Sequence, residues 1–216
     1  MQPHHHPMSE PDWLVFLRQV QAIAQTGLAF ARDPYDVERY EQLRALCVAQ
    51  TALRAGEDAA MLGDLFAAQS GYATPKIDVR GAAFDAAGRL LMVREVQDAG
   101  RWTLPGGWAD VQLTPAENVA KEVLEESGFA VRVVKCAAVW DRSRQGHQPQ
   151  FFSAAKLFYL CEIEGGAAAT SLETSEVAFF TEQTLPRDLS LGRVLPHQLT
   201  RMFAHWRDRG LPTEFD

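Results

Sequence analysis

The stretch that most restricts this chain is Leu104–Phe129, LPGGWADVQLTPAENVAKEVLEESGF. It predicts a glycine loop that feeds a helix over about Thr114–Ser127. Thr114 suits the N-cap, Pro115 the first helical position, and Glu117 stands three residues after the cap, which is the spacing of a capping box. Gly128 suits the left-handed turn that ends a helix. At 100° per residue, Glu122, Glu125 and Glu126 fall within an arc of about 100°. Ala116, Val119, Ala120, Val123 and Leu124 centre about 135° away. The helix is therefore expected to bury one face and present three carboxylates on another.

Carboxylates at i, i+3 and i+4 repel one another by a few tenths of a kcal/mol per pair. They also lie near the helix C-terminus, the unfavourable end of the dipole for anions. Two stability rules broken at one place mark a functional site. A hard cation such as Mg²⁺ or Mn²⁺ relieves both, because it takes carboxylate oxygens. Pro105-Gly106-Gly107 lets backbone approach a ligand closely and offers carbonyl groups to a cation. For the helix alone, a solvated acidic face is the plain alternative. Glycine loop, capped helix and triple carboxylate within 26 residues are more specific together than any one of them.

Around this stretch the pattern divides in two. Ser9 with Asp12 resembles a capping box, and Trp13, Phe16, Leu17, Val20 and Ile23 recur at helical spacing, with Gly27 a plausible stop. Asp33-Pro34 starts a second helix, and a third spans about Glu57–Ala68. Three such helices are marginal alone and need a partner surface, either the rest of the chain or a second copy. Short β-runs follow: Ile77–Phe84, Arg89–Val96, Phe129–Trp140, Ala154–Ile163 and Val177–Phe180. A last helix starts near Pro196. The reading is α+β, helices covering a mixed sheet. Its divisions are a disordered tail over 1–8, a helical domain over 9–70, a linker over 71–76 and a second domain over 77–216.

Charge and cysteine content exclude some functions. The net charge is −7 over 216 residues, and residues 1–75 hold 5 basic and 9 acidic side chains. That balance gives no footprint for duplex DNA or an anionic membrane. Cys47, Cys136 and Cys161 form no CxxC pair and read as free, buried thiols of a reducing compartment, hence a cytoplasmic location. Gln19–Ala31, the longest stretch without a charge, has 13 residues and is too short to span a bilayer, which takes about 18–20. No signal peptide is apparent. His4, His5 and His6 belong to the expected tail.

The chain resembles the Nudix hydrolases, whose signature is G-x5-E-x7-R-E-U-x-E-E-x-G-U, with U apolar. Gly107, Glu122, Val123, Glu125, Glu126, Gly128 and Phe129 match at that spacing. Leu113 stands where the first Glu belongs and Lys121 where Arg belongs. Lys121 keeps the positive charge of Arg but lacks the planar fork that orients a neighbouring carboxylate. The segments AIAQTGLAFARDPYDVERYEQLR, GYATPKIDVRGAAF, RWTLPGGWADV and SLETSEVAFF look like a bacterial subgroup with an N-terminal helical domain, described as CDP-choline or ADP-ribose pyrophosphatases.

The resemblance implies an α/β/α sandwich with a mixed sheet, preceded by a three-helix extension and assembled as a homodimer through it. It implies Mg²⁺ (or Mn²⁺) held by Glu122, Glu125, Glu126 and the Gly106 carbonyl, with Glu126 and Glu122 leading. The reaction it implies is hydrolysis of a nucleoside diphosphate linked to a group X, with a slight lean to CDP-choline over ADP-ribose. Catalytic candidates are Glu122 and Glu125, with Glu173 and Glu176 as alternative bases from a distant loop. Arg80 and Arg142 are candidates for phosphate, and Trp102 and Trp108 for stacking on a base. Asp110 is expected either to tune the metal or to fix the loop turn, and His147 to be an ordinary loop residue. A non-catalytic nucleotide sensor and an RNA-end pyrophosphohydrolase are the competing readings.

Overall fold

The computed structural model describes residues 10–216; the expected tail over 1–8, its three histidines, and Ser9 lie outside them. The chain divides into two compact units. One is helical, residues 10–75 with Pro149–Ser153, a short stretch that a division at the linker assigns to the other part. The other comprises Lys76–Gln148 and Ala154–Asp216.

The helical unit contains α1 (Asp12–Phe30), α2 (Pro34–Ala55) and α3 (Ala59–Ala67). Asp33 caps α2 by accepting from the Tyr35 and Asp36 N–H groups, and Pro34 occupies the first turn. The start of α1 departs from the sequence expectation: Pro11 is its N-cap, with no side-chain cap bond. Gly27 does not stop α1, which continues to Phe30. A Cβ at Gly27 would lie 2.4 Å from Cδ1 of Tyr40, so this glycine serves the close approach of α2. Leu17, Cys47 and Phe66 form the core, with Trp13, Val20, Val48 and Phe151 packed on it. Phe16, Ile23, Phe30, Leu46 and Leu53 stay exposed.

In the second unit β1 (Lys76–Phe84), β2 (Leu90–Glu95), β3 (Arg101–Thr103), β4 (Phe129–Asp141), β5 (Ala154–Gly166), β6 (Thr174–Phe180) and β7 (Glu214–Phe215) build one mixed sheet. Its order is β3-β2-β1-β5-β4-β7, with β6 pairing to β2. The strand β1 runs parallel to β5 and meets β2 only at Phe84↔Leu90. Two helices cover the faces, α4 (Pro115–Ser127) and α5 (Pro196–Arg207). Alternation along the strands explains the two layers. Val79, Ala83, Leu91 and Cys161 pack with Val119 and Val123 of α4. Ala82, Phe84, Leu90, Met92, Phe158 and Leu160 pack with Leu199, Met202 and Phe203 of α5. The α+β class with helices over a mixed sheet is what the sequence predicts; the three-residue β3 and two-residue β7 are additions. No helix among the described residues is long and apolar enough to cross a membrane.

Candidate active site

The glycine loop lies along the open edge of β1. The Val79 N–H donates to the Gly107 carbonyl and the Gly81 N–H to the Pro105 carbonyl, each at 2.9 Å, and the Ala109 N–H returns a bond to Ile77. Between the two occupied carbonyls, that of Gly106 accepts no hydrogen bond from any described residue. Gly106 has φ 142°, and a Cβ there would lie 2.0 Å from the Val79 carbonyl oxygen. Only glycine fits that position. Gly81 has a related role: its missing Cβ leaves room for Val123, which would otherwise be 2.6 Å away, so α4 sits directly on β1.

The helix is capped as its sequence predicts. Thr114 and Glu117 form a complete capping box, and Gly128 ends it at φ 77°. Its carboxylates are arranged differently from the helical-wheel expectation. Glu126 is 5% exposed, and its Oε2 accepts from the Gly106 N–H at 3.0 Å. Leu124, assigned to the buried face, is 50% exposed. The reason is the loop, which folds over the Glu126 side of the helix and leaves Leu124 uncovered. Glu122 is half-buried, with Oε2 3.4 Å from where a Gly107 Cβ would stand. Burial, only partly offset by the Arg80 charge and the Gly106 N–H, pushes the Glu126 carboxyl up to about 7. Glu122 is raised as well, by burial first and then by the charges of Glu125 and Glu173.

Buried Asn118 braces the loop against α4. Its Oδ1 accepts from the Asp110 N–H at 2.8 Å, and its Nδ2 faces the carbonyls of Asp110, Leu113 and Thr114 at 3.2–3.4 Å. At the other end, the Thr174 hydroxyl donates to the Glu126 carbonyl at 2.7 Å. That bond brings the start of β6, and Glu173 with it, to the C-terminal turn of α4.

A loop held on a strand edge by backbone bonds, with a glutamate of the following helix tied back under it, is a recognisable framework. The family model described as NUDIX domain matches residues 74–198. The chain is a Nudix hydrolase. The model described as a UDP-X-like N-terminal oligomerisation domain matches residues 11–66. The YjhB protein of Bacillus subtilis (strain 168), provisionally named an ADP-ribose pyrophosphatase, is 42% identical over 94% of this chain and 97% of its own. A solved UDP-X diphosphatase is 32% identical over 95% of this chain and 98% of its own, with a TM-score of 0.61. An ADP-ribose pyrophosphatase from Streptococcus suis 89-1591 is 36% identical over 66% of this chain and all of its own, with a TM-score of 0.59.

Within this Nudix hydrolase, several residues singled out from sequence sit elsewhere than expected. Arg80 is not an open phosphate receptor. It is buried and bonded to both carboxylate oxygens of Asp78, at 2.8 and 3.2 Å, and to the Leu104 carbonyl. Lys156, fully buried on β5, takes the same Asp78 at 2.8 Å. Burial works to raise the Asp78 carboxyl, but the charges of Arg80 and Lys156 outweigh it and hold Asp78 well below the usual range. Arg142 is buried too, its Nη1 donating to the Gln148 carbonyl at 2.6 Å. Trp102 is a core residue, 6% exposed and edge-on to Phe180, because it lies on β3 against the α5 layer. Glu176 is paired with Arg94 at 3.2 Å across the β2–β6 pair. Trp108 keeps an exposed ring at the loop, and Glu173 lies within the field of Glu122.

Three residues are not singled out as site residues by the sequence pattern. Glu95 is buried at the end of β2, pairs with Arg193 at 3.3 Å and contributes to the field at Glu126. No local pattern marks it, because its neighbourhood is made by strand pairing. Asn118 does carry a signal: an amide inside a helix seeks nearby backbone groups. His147, expected to be an ordinary loop residue, is buried and neutral. Its Nδ1 bonds the Leu191 carbonyl at 2.8 Å, and desolvation drives its pKa down to about 3.

The donor set suits a hard divalent cation. Glu122 and Glu126 supply carboxylate oxygens whose pKa values are raised first by burial, so a bound cation would favour their ionised form, and the Gly106 carbonyl stands in the same loop. Among the described residues no three acidic, His or Cys side chains are already drawn into a cage. Mg²⁺ does not need one, since it keeps several waters and uses one or two carboxylates together with substrate phosphates.

Proposed function

We propose that this Nudix hydrolase cleaves the pyrophosphate bond of a nucleoside diphosphate joined to a group X, releasing a nucleoside monophosphate and phospho-X. The observation that carries the reading is the Gly106–Glu126 hydrogen bond with Glu122 beside Gly107, which gathers hard oxygen donors at one edge of β1. ADP-ribose is the first candidate, because relatives at 36% and 42% identity are named for it. CDP-choline, towards which the sequence texture leans, is the second.

Glu122, Glu125, Glu126 and the Gly106 carbonyl would hold Mg²⁺ or Mn²⁺. When bound, the cation neutralises charge on the transferring phosphoryl group and lowers the pKa of water. The chain's own groups do the rest. The Gly106 N–H and the Arg80 charge orient and partly neutralise Glu126. Glu122, or Glu173 near it, accepts the proton of the attacking water; burial and neighbouring acids make Glu122 the better base. The exposed Trp108 ring offers a face to a base.

The helical part is assigned to assembly of two copies. Its match to an oligomerisation domain and its exposed Phe16, Ile23, Phe30, Leu46 and Leu53 support this. The free cysteines fit a reducing compartment such as the cytoplasm. A panel of ADP-ribose, CDP-choline, UDP-sugars and a 5′-triphosphate RNA oligonucleotide, each with Mg²⁺, tests the assignment. Monophosphate release from one of the diphosphate compounds supports it. Thermal stabilisation by a panel compound with cleavage of none supports a sensor and overturns it.

A further inference from the structure

The chain leaves the Nudix signature at Leu113 and Lys121, and the structure shows what fills the gap. Leu113 is exposed and bears no charge. Lys121 Nζ lies 2.9 Å from Asp110 Oδ2 and 3.4 Å from Glu125 Oε2. Asp110 belongs to the glycine loop, and its backbone is fixed on both sides by buried Asn118, which accepts from its N–H and donates to its carbonyl. The carboxylate is therefore presented to Lys121 from a rigid support rather than from a loose turn. We propose that Asp110 is a positioning residue that replaces the missing signature acid, sharing the Lys121 ammonium with Glu125 and so limiting its pairing with the carboxylates that receive the metal.

The physical reason is competition. A lysine is a compact cation on a flexible four-carbon stem and pairs with whichever carboxylate is within reach. Lys121 adjoins Glu122 in sequence and stands one turn before Glu125, so an unrestrained ammonium would neutralise the donors a divalent cation needs. With Asp110 in place the ammonium sits closer to the loop acid than to Glu125. The Asp110–Lys121 pair is half-exposed, so as a stability element it is worth little. Its value lies in where it keeps a positive charge. Of the two roles the sequence allows Asp110, metal tuner or turn former, its bond to Lys121 across 11 residues assigns it the first, by way of the lysine.

This inference rests on the metal reading above, and the test separates the two. Mn²⁺ binding to the full chain is titrated by the electron paramagnetic resonance signal of the free ion, without substrate. Wild type should bind Mn²⁺, and Glu126→Gln should abolish that binding; otherwise the metal reading falls, and this inference with it. Asp110→Ala should weaken binding about three- to ten-fold, at or below the ~10–100-fold typical of partners that orient metal ligands. Adding Lys121→Gln to Asp110→Ala should return the affinity to within about two-fold of wild type, because the competing cation is gone. Adding Leu113→Glu instead should also recover it, by restoring an acid at the signature position. Thermal midpoints of these variants should stay close to wild type. Unchanged affinity in Asp110→Ala overturns the inference while the metal reading stands. So does a double variant Asp110→Ala, Lys121→Gln that binds as weakly as Asp110→Ala alone.

Discussion

The Gly106 N–H and the Glu126 carboxylate meet at 3.0 Å across 20 residues of chain, and this contact ties the loop to the helix. It sets two demands on the sequence. Position 106 must be glycine, because β1 is too close for a Cβ. Position 126 must be an acid that tolerates burial beside another acid.

The first demand predicts the outcome of Gly106→Ala. The new Cβ would press on the Val79 carbonyl at 2.0 Å and hold alanine at φ 142°. Such backbone strain costs on the order of 1–3 kcal/mol by itself. Urea denaturation should show at least that loss, with activity falling further because the loop must move off β1. Gly192→Ala, where a Cβ would meet nothing within 4 Å, is the control and should change little.

The second demand predicts a pH effect in the metal-free protein. The folded-state pKa of Glu126 is raised to about 7, above its ordinary value of 4.5. The native state then binds a proton that the unfolded state releases, so stability is fully present below about pH 4.5 and declines as pH rises through 7. The full effect is on the order of 3 kcal/mol. Denaturation in EDTA from pH 5 to 8 should show the decline, Glu126→Gln should flatten it, and Mg²⁺ at pH 8 should reverse it in wild type.

The two tryptophans around the loop should respond differently. Trp102→Ala removes a core side chain and should cost about 3–5 kcal/mol. Trp108→Ala removes a ring that is 52% exposed and should leave the melting temperature nearly unchanged. If Trp108 stacks on the substrate base, its loss raises KM several-fold at near-constant kcat. Calorimetry and steady-state kinetics on both variants check this.

These contrasts show which features are legible in the sequence. Thr114, Pro115, Glu117 and Gly128 bound α4 through local backbone chemistry, so the order of residue types alone marks their roles. Val79, Ala83, Val119 and Val123 announce their layer through periodicity. Arg80 and Asp78 are not legible in this way. On a strand they look like a polar face, and only the parallel neighbour β5 brings Lys156 to the same carboxylate and closes them into the interior. Trp102 is equally opaque, because β3 is too short to show alternation. Gly27 looks like a helix stop because the tyrosine that needs its space lies on another helix. Helix ends follow from neighbours in the chain, whereas distances across the sheet depend on residues far away in it.

The central claim is that the helix carboxylates at the glycine loop carry a metal-dependent pyrophosphate hydrolysis. Glu122→Gln tests it most directly, since the change preserves shape and removes one negative charge. The measurement is the Mg²⁺-dependent rate of nucleoside monophosphate release from ADP-ribose, taken beside the melting temperature. The account predicts a loss of about three orders of magnitude in kcat with the fold intact, in the range found when a residue acting on the transition state is removed. A Glu122→Gln variant that melts normally and turns over at a rate close to wild type would contradict it.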